Sequence, residues 1–158
     1  MVTKQTEGQV DMAVAAVPDA LRLSGTLLLL MRALDGRVRA GGPGDGLTVT
    51  DIGVLGRIEK GAALPSVIAR ESRLDPARVT HLTDRLVERG YVERMVDPDD
   101  RRRWRLNLTS AGRERLAAGR GDVTQAMEEL LVGLDADARA GIFKAMEHVR
   151  GTLDALPK

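Results

Sequence analysis

The chain has 158 residues, enough for one domain or one domain with an added helical layer, and 43% of them are hydrophobic, enough for a core. Because it contains no cysteine, disulfides, thiolate metal sites and thiol redox switches are excluded. The formal net charge is only +1, so the total charge indicates nothing about an acidic partner, and any basic surface must be local.

The N-terminal part of the chain predicts a flexible start followed by one amphipathic helix. Residues 1–16 are small and polar, and after them Leu23 and Leu27 begin a leucine stripe that recurs every three or four residues. The helix is expected to end before a glycine-rich loop that starts at Gly36. The longest apolar run, TLLLLM, is too short to span a bilayer. Since the first residues also lack the apolar core of a signal peptide, we expect a cytoplasmic protein without a membrane partner.

The middle of the chain carries the signature of a helix-turn-helix. Either Thr48 or Thr50 can cap a helix, and a short helix follows in residues 64–73. The next segment, LDPARVTHLTDRLVERG, has Asp75 in the N-cap place, proline at the first helical position and Gly90 as a left-handed stop. Two short helices separated by a tight turn are typical of this motif.

The second of these helices has two faces of different chemistry. Its inward face is predicted from Val79, Leu82 and Leu86, which are spaced three and four residues apart. The outward face is then Ala77, Arg78, Thr80, His81, Asp84 and Arg85. Arginine can contact guanine edges or phosphates, threonine and histidine can hydrogen-bond bases, and alanine can approach a thymine methyl group. For an isolated helix, a solvated face with ion pairs would be the better interpretation.

A predicted hairpin after Gly90 favours the DNA-binding interpretation instead. Two extended runs, YVERMV and RWRLNLT, flank a turn with Pro98 and three aspartates. The apolar face of the hairpin, with Trp104, Leu106 and Leu108, is predicted to pack on the domain, and its arginines should face water. A helix-turn-helix followed by such a hairpin is a winged helix, whose second helix enters the major groove while the hairpin reaches a minor groove.

Two further helices are predicted at the C-terminal end. Thr109 can cap the first, in which several glycines make a bend plausible. The second opens near Asp135 and carries a heptad-like seam of apolar residues spaced four, three and four apart. Such a terminal helix covers a core or pairs with another chain. The seam residues are Ile142, Met146, Val149 and Leu153.

Three segments together resemble the MarR family of regulators. They are LTVTDIGVLGRIEKG, LPSVIARESRLDPARVTHLTDRLVERGYVER and DPDDRRRWRLNLTSAGRERL. The most specific part is the wing, where an Asp-x-Arg signature, Asp100 and Arg102, precedes a strand that ends in Leu-Thr. The resemblance implies a homodimer whose first and last two helices form the dimer base. The expected divisions are a flexible start at 1–16, a dimerisation helix and loop at 17–46, a winged helix-turn-helix domain at 47–108 and dimerisation helices at 109–158.

The resemblance also assigns roles to single residues. Arg102 is expected to enter the minor groove, oriented by Asp100, while Arg94 ends the first wing strand and Asp75 opens the recognition helix. The predicted DNA-binding residues are Asp75, Pro76, Ala77, Arg78, Thr80, His81, Arg85, Arg94, Asp100, Arg101, Arg102 and Arg103. The predicted dimerisation residues are Leu23, Leu27, Ile142, Met146, Val149 and Leu153.

The function that the resemblance implies is a repressor that binds a pseudo-palindromic operator in double-stranded DNA and is released by a small phenolic or anionic effector. Arg22, Met31 and Arg32 are candidate effector ligands by position only, and they can equally be ordinary surface and core residues. The alternatives are an activator of the same fold, or a helical dimer that binds a small molecule and not DNA. No catalytic residue, metal or cofactor is predicted, since neither histidine has metal-ligand spacing and no serine lies in a nucleophile elbow.

Overall fold

The computed structural model describes residues 3–61, 64–97, 100 and 103–156, and the side chains among them from residue 19 onward. Within this part, six helices and a two-stranded antiparallel sheet confirm the predicted fold class, mainly α with a β-hairpin wing. The elements are α1 Thr3–Gly41, α2 Val49–Glu59, α3 Pro65–Ser72, α4 Pro76–Glu88, β1 Val92–Val96, β2 Trp104–Leu108, α5 Ser110–Leu131 and α6 Ala136–Ala155. No helix in this part is long and apolar enough to cross a membrane.

The first helix is longer than the sequence predicts at both ends. It begins at Thr3, inside the segment 1–16 for which a flexible start is predicted, and it continues past Gly36 to end at Gly41. An isolated glycine costs a helix only about 1 kcal/mol. Val38, two residues after Gly36, is wholly buried in the core. Packing of that side chain therefore outweighs the local preference of glycine for a loop.

An aliphatic core joins all of these elements except α6. Val38 enters it from α1, and both wing strands contribute to it. At the start of α2, Thr48 is the N-cap, and its side chain and that of Asp51 form a reciprocal capping box. The largest wholly buried apolar side chains are Leu47, Leu55, Ile68, Leu86 and Leu116.

The helix-turn-helix has the predicted local structure. α3 ends at Arg73, whose backbone is left-handed with a φ of 52°. Asp75 caps α4 and accepts a hydrogen bond from the backbone nitrogen of Ala77 at 2.8 Å. After α4, Gly90 has a φ of 72°, the left-handed stop that the sequence predicts.

The wing is a regular hairpin that packs on the core at one end only. Val92 pairs with Leu108, and Val96 pairs with Trp104 at the far end. Leu106 and Leu108 are buried as predicted, but Trp104 is 56% exposed. The prediction that Trp104 anchors the wing is therefore wrong, because its pair with Val96 lies beyond the part of the hairpin that the core covers.

Both C-terminal helices begin where the sequence predicts. The Thr109 hydroxyl accepts a hydrogen bond from the backbone nitrogen of Gly112 at 3.0 Å, and the Asp135 carboxylate accepts one from Ala138 at 2.8 Å. α5 runs as one helix from Ser110 to Leu131. Two of its glycines have a packing role that the sequence analysis missed. A side chain at Gly112 would collide with the Tyr91 backbone carbonyl, and one at Gly119 would collide with Ile52.

Candidate nucleic-acid interface

The recognition helix α4 separates buried from exposed residues as the sequence predicts. Val79 and Leu86 are wholly buried and Leu82 nearly so. Thr83 is also buried, and its hydroxyl donates to the Thr80 carbonyl at 2.9 Å. The exposed side chains of the opposite face are Ala77, Arg78, Thr80 and His81.

Two of the predicted contact residues also shape the start of α4. The Asp75 carboxylate accepts hydrogen bonds from the backbone nitrogens of Ala77 at 2.8 Å and Arg78 at 3.4 Å. Pro76 occupies the first turn and is exposed. Because the carboxylate satisfies these free amide groups, the first turn is fixed before any ligand binds. This rigid start holds Arg78 and His81 at defined positions on the exposed face.

Arg85 does not face outward as predicted. Its guanidinium forms an ion pair with Asp51 of α2, and the Asp51 side chain is wholly buried. The Asp51 carboxylate also accepts hydrogen bonds from the backbone nitrogen and hydroxyl of Thr48, at 2.8 and 2.7 Å. A buried carboxylate requires a cationic or hydrogen-bonding partner, and Arg85 supplies the cation. Arg85 therefore fastens α4 to α2.

The described wing residues form a series of ion pairs. Arg94 pairs with Asp84 of α4. The Arg103 Nε lies 3.3 Å from the Asp100 carboxylate, and the Arg103 side chain remains 65% exposed. Arg103 also donates its backbone nitrogen to the Asp100 carbonyl at 2.8 Å, which closes the tip. Arg101 and Arg102 lie outside the described residues, and so does the predicted pairing of Asp100 with Arg102.

A further pair at the base of the tip was not predicted. The Arg105 Nε lies 3.0 Å from the Asp97 carboxylate, whose side chain is only 6% exposed. The backbone nitrogen of Asp97 donates to the Arg103 carbonyl at 2.9 Å. The alternating pattern of the second strand was the signal for this pair. Val96 pairs with Trp104, so Arg105, the next residue, lies close to Asp97, the residue after Val96. These bonds hold the strand ends together beneath the tip.

A buried polar cluster connects the wing to α1 and α5. The Arg115 Nε donates to the Asp45 carboxylate at 2.7 Å, and the Tyr91 hydroxyl donates to the same carboxylate at 2.8 Å. Arg115 also donates to the Val38 carbonyl at 2.9 Å. Sequence reasoning missed this cluster because its members lie 46 and 70 positions apart. Tyr91 is the residue before β1, so the cluster fixes where the wing begins.

Protonation in this cluster follows from burial and hydrogen bonding. Burial acts to raise the pKa of Asp45, but hydrogen bonds from Arg115, the Leu47 backbone and Tyr91 hold that pKa below its ordinary value. For Tyr91, burial raises the pKa, and so does the hydrogen bond to Asp45. The cluster is therefore most stable as an ionised carboxylate beside a neutral phenol.

The three candidate effector ligands do not converge on one site. Arg22, Met31 and Arg32 are all exposed on α1. Nine positions separate Arg22 from Met31, which is two and a half helical turns and places them on opposite sides about 13 Å apart. Arg22 instead lies 3.8 Å from Asp19, with both side chains exposed. The assignment of these three residues as effector ligands therefore stays a prediction.

A different cavity lies beside the turn of the helix-turn-helix. Its volume is about 630 Å³, and it is open to solvent. Arg70 and Arg73 supply the cationic part of its wall, while Leu74 and Pro76 supply apolar surface. Among the described residues, no cluster of three or more histidine and acidic side chains could hold a metal ion.

The fold and this surface together define a winged helix-turn-helix protein, and comparisons with known proteins show which family it resembles. Residues 45–103 match the model of the MarR family. An uncharacterized HTH-type transcriptional regulator from Mycobacterium leprae is 25% identical over 137 residues, which are 86% of this chain and 96% of the relative. Residues 45–103 of this chain are therefore similar to the MarR family, and most of the chain is similar to a protein named as an HTH-type transcriptional regulator.

Two solved structures extend the similarity over most of the chain. A mutant MarR from E. coli, complexed with operator DNA, has a TM-score of 0.72 at 24% identity and covers 85% of this chain and 95% of its own. CouR from Rhodococcus jostii, bound to p-coumaroyl-CoA, has a TM-score of 0.67 at 24% identity and covers 85% of this chain and 92% of its own. At this identity, both show the common fold.

Proposed function

We propose that this protein is a repressor that binds a pseudo-palindromic operator in duplex DNA as a homodimer and is released by a small organic anion. The observation that carries the proposal is the exposed face of α4. Arg78 and His81 are exposed there, and neither forms an ion pair within the described residues. Arg85, in contrast, is paired with Asp51. The free polar groups on this face are those that reading base edges requires.

The proposed DNA contacts come from α4 and the wing. Arg78, Thr80 and His81 would reach base edges or phosphates in the major groove, with Ala77 at the closest approach. The wing would place Arg103, and with it Arg101 and Arg102, against the backbone or in the adjacent minor groove. Arg94 and Asp75 would hold these elements in position, the first through Asp84 and the second as the cap of α4.

Exposed apolar surface supports the homodimer. No described residue of α6 is buried in the single chain, although the helix carries an apolar seam. Burying one Leu, Ile or Val side chain contributes about 1.5–3 kcal/mol, so a second copy of the chain would gain stability by covering the seam. The proposed interface residues, with their exposed fractions, are Leu23 55%, Leu27 40%, Ile142 39%, Met146 45%, Val149 43% and Leu153 46%.

Selection of duplexes from random DNA tests the DNA-binding proposal. We expect enrichment of a two-fold symmetric sequence whose half-sites lie about 34–36 Å apart, one turn of DNA. Binding should weaken steeply as salt is raised, because phosphate contacts release counterions. Enrichment of no sequence, with equal retention of DNA and a neutral polymer, would favour the alternative of a helical dimer that does not bind DNA.

A promoter reporter separates the repressor from the activator. The selected operator is placed upstream of a reporter gene in cells with and without the protein. Lower expression in the presence of the protein is the proposed result. Higher expression would show an activator of the same fold, and it would leave the DNA contacts of α4 as proposed.

The cavity beside the helix-turn-helix turn is the proposed effector site. Arg70 can pair with a carboxylate, and Leu74 and Pro76 offer apolar surface to the rest of an organic acid. The CouR structure, which holds an acyl-CoA thioester, is a precedent for ligand binding by this fold. Benzoate can serve as a probe, measured by thermal shift and by release of labelled operator. We expect stabilisation and release in the wild type and neither in an Arg70→Ala variant, and equal responses would exclude this cavity.

A further inference from the structure

The turn between α3 and α4 contains an arginine in an unfavourable backbone conformation. Arg73 has a φ of 52°, and among the described residues it is the only one other than glycine with a positive φ. Glycine or asparagine fits such a position without the steric cost that an arginine backbone meets. A strained residue of this kind points to a role for its side chain.

That side chain reaches a distant part of the chain. The Arg73 guanidinium donates hydrogen bonds to the backbone carbonyls of Leu153 and Leu156, the latter at 3.4 Å. Both carbonyls belong to the C-terminal end of α6, where the helix dipole favours a cation. Within the described residues, Arg73 makes the hydrogen bonds that connect α6 to the DNA-binding lobe, which we define as α2 to β2. We call these bonds the Arg73 bridge.

The position of the Arg73 bridge allows it to restrict movement of the recognition helix α4. α6 has 20 residues and therefore spans about 30 Å, so the bridge lies far from the corner at which α6 leaves α5. The lobe is also attached through the packing of α5 and α1. An attachment on one side permits the lobe to pivot, and a second attachment about 30 Å from the corner opposes that rotation. Since α4 begins three residues after Arg73, any pivot moves α4 directly.

We propose that Arg73 is a positioning residue that fixes the orientation of the DNA-binding lobe relative to the dimer base, and so sets the half-site spacing that the dimer accepts. The inference rests on the proposed dimeric binding of DNA. Arg73 does not contact DNA in this proposal. It fixes the position of α4, and so the distance between the two recognition helices of a dimer. Loss of the Arg73 bridge should leave each half-site contact intact and widen the range of spacings that are bound.

Arg73→Gly provides a selective test, because glycine suits the left-handed backbone and removes only the side chain. Fluorescence anisotropy would compare the selected operator with duplexes whose spacer is one base pair shorter or longer. Each change alters the separation of half-sites by about 3.4 Å and rotates them by roughly 35°. We expect a loss of about tenfold or more for the wild type and of about threefold or less for Arg73→Gly.

Arg139→Ala is the matched control. Arg139 also donates to helix-end carbonyls, those of Leu131 at 2.8 Å and Leu134 at 3.3 Å, but it lies at the corner of α5 and α6. This variant should keep the wild-type spacing penalty. The inference is overturned if Arg73→Gly keeps that penalty, if both variants lose it equally, or if Arg73→Gly loses half-site binding and melting temperature together. If Arg73→Gly does not fold, Arg73→Asn, which also tolerates the backbone, replaces it.

A distance measurement on the free dimer tests the same inference without DNA. The chain has no cysteine, so Glu88→Cys, at the exposed end of α4, introduces one spin-label site per chain. Electron spin resonance should give a narrow interchain distance distribution with Arg73 present and a broader one with Arg73→Gly. Equal widths would overturn the inference. If wild-type protein selects no symmetric DNA, the proposed function fails, and the two widths still decide the role of Arg73.

Discussion

At the scale of single side chains, four arginines of the DNA-binding lobe and of α5 show two contrasting environments. Arg78 and Arg103 are exposed and lie on the face that would meet DNA. Arg85 and Arg115 are directed inward, where each neutralises a buried carboxylate, Asp51 and Asp45 respectively. An arginine-rich segment is therefore not uniform, and only its exposed members are available for phosphates and bases.

This division predicts that one substitution on α4 lowers stability and another lowers DNA affinity. Arg85→Ala leaves the buried Asp51 without its cation and should lower the free energy of unfolding by about 3 kcal/mol. Arg78→Ala should change stability by less than about 0.5 kcal/mol but weaken specific DNA binding by about 1–3 kcal/mol. Urea unfolding and anisotropy with the selected operator measure the two effects. If Arg85→Ala keeps the wild-type stability and Arg78→Ala binds normally, both assignments are wrong.

The Asp45–Tyr91–Arg115 cluster predicts a dependence of stability on pH at both ends of the range. Because the pKa of Asp45 is lower in the folded chain, its contribution is present above about pH 4 and is lost as the pH falls through the folded value. Because the pKa of Tyr91 is raised, its contribution is present below about pH 10 and is lost as the pH rises further. Unfolding curves at several pH values should show that Asp45→Asn flattens the acid side and Tyr91→Phe the alkaline side. Unchanged profiles in both variants would contradict the assignment.

At the scale of helices and strands, local signals account for what was predictable. The ends of α4 follow from Asp75 and Gly90, because a cap and a left-handed stop need only neighbouring residues. The hairpin follows from its alternation. The Arg85–Asp51 pair could not be predicted, since it joins residues 34 positions apart whose meeting depends on how α2 and α4 pack. The exposure of Trp104 was missed for the same reason, because alternation gives the face of a strand but not how far the core extends along it.

Substitution of two glycines of α5 by alanine should change the stability of the chain in opposite directions. Gly112→Ala would place a side chain against the Tyr91 carbonyl, so it should destabilise the chain by about 1–3 kcal/mol. At Gly121 an added side chain meets nothing within 4 Å, so Gly121→Ala should stabilise α5 by about 0.5–1 kcal/mol. Thermal unfolding of the two variants measures the difference. Equal shifts in the same direction would mean that the close approach at Gly112 has no energetic weight.

At the scale of the whole molecule, apolar residues are buried in the DNA-binding lobe but exposed on α6. The DNA-binding lobe has an aliphatic core that Val38 of α1 and Leu116 of α5 complete, whereas α6 contributes no buried residue within the described chain. A surface of this kind is stable in water once a partner covers it. Dimerisation would also place two copies of α4 side by side, as a symmetric operator requires.

The seam of α6 therefore predicts a loss of assembly when a charge is introduced. Val149→Asp would place a carboxylate among apolar side chains in the proposed interface, which is strongly unfavourable without a partner. Light scattering at defined concentrations should show a dimer for the wild type and a monomer for the variant. Glu147→Asp, an exposed and conservative change on the same helix, serves as the control. A dimeric Val149→Asp variant would place the interface elsewhere.

The central claim, that two copies of α4 and of the wing read one symmetric site, is tested most directly by hydroxyl-radical footprinting on the selected operator. We predict two protected segments related by two-fold symmetry, with centres about 10 base pairs apart, and weaker protection at both segments with Arg78→Ala. A single protected segment, or protection that Arg78→Ala leaves unchanged, would contradict the account.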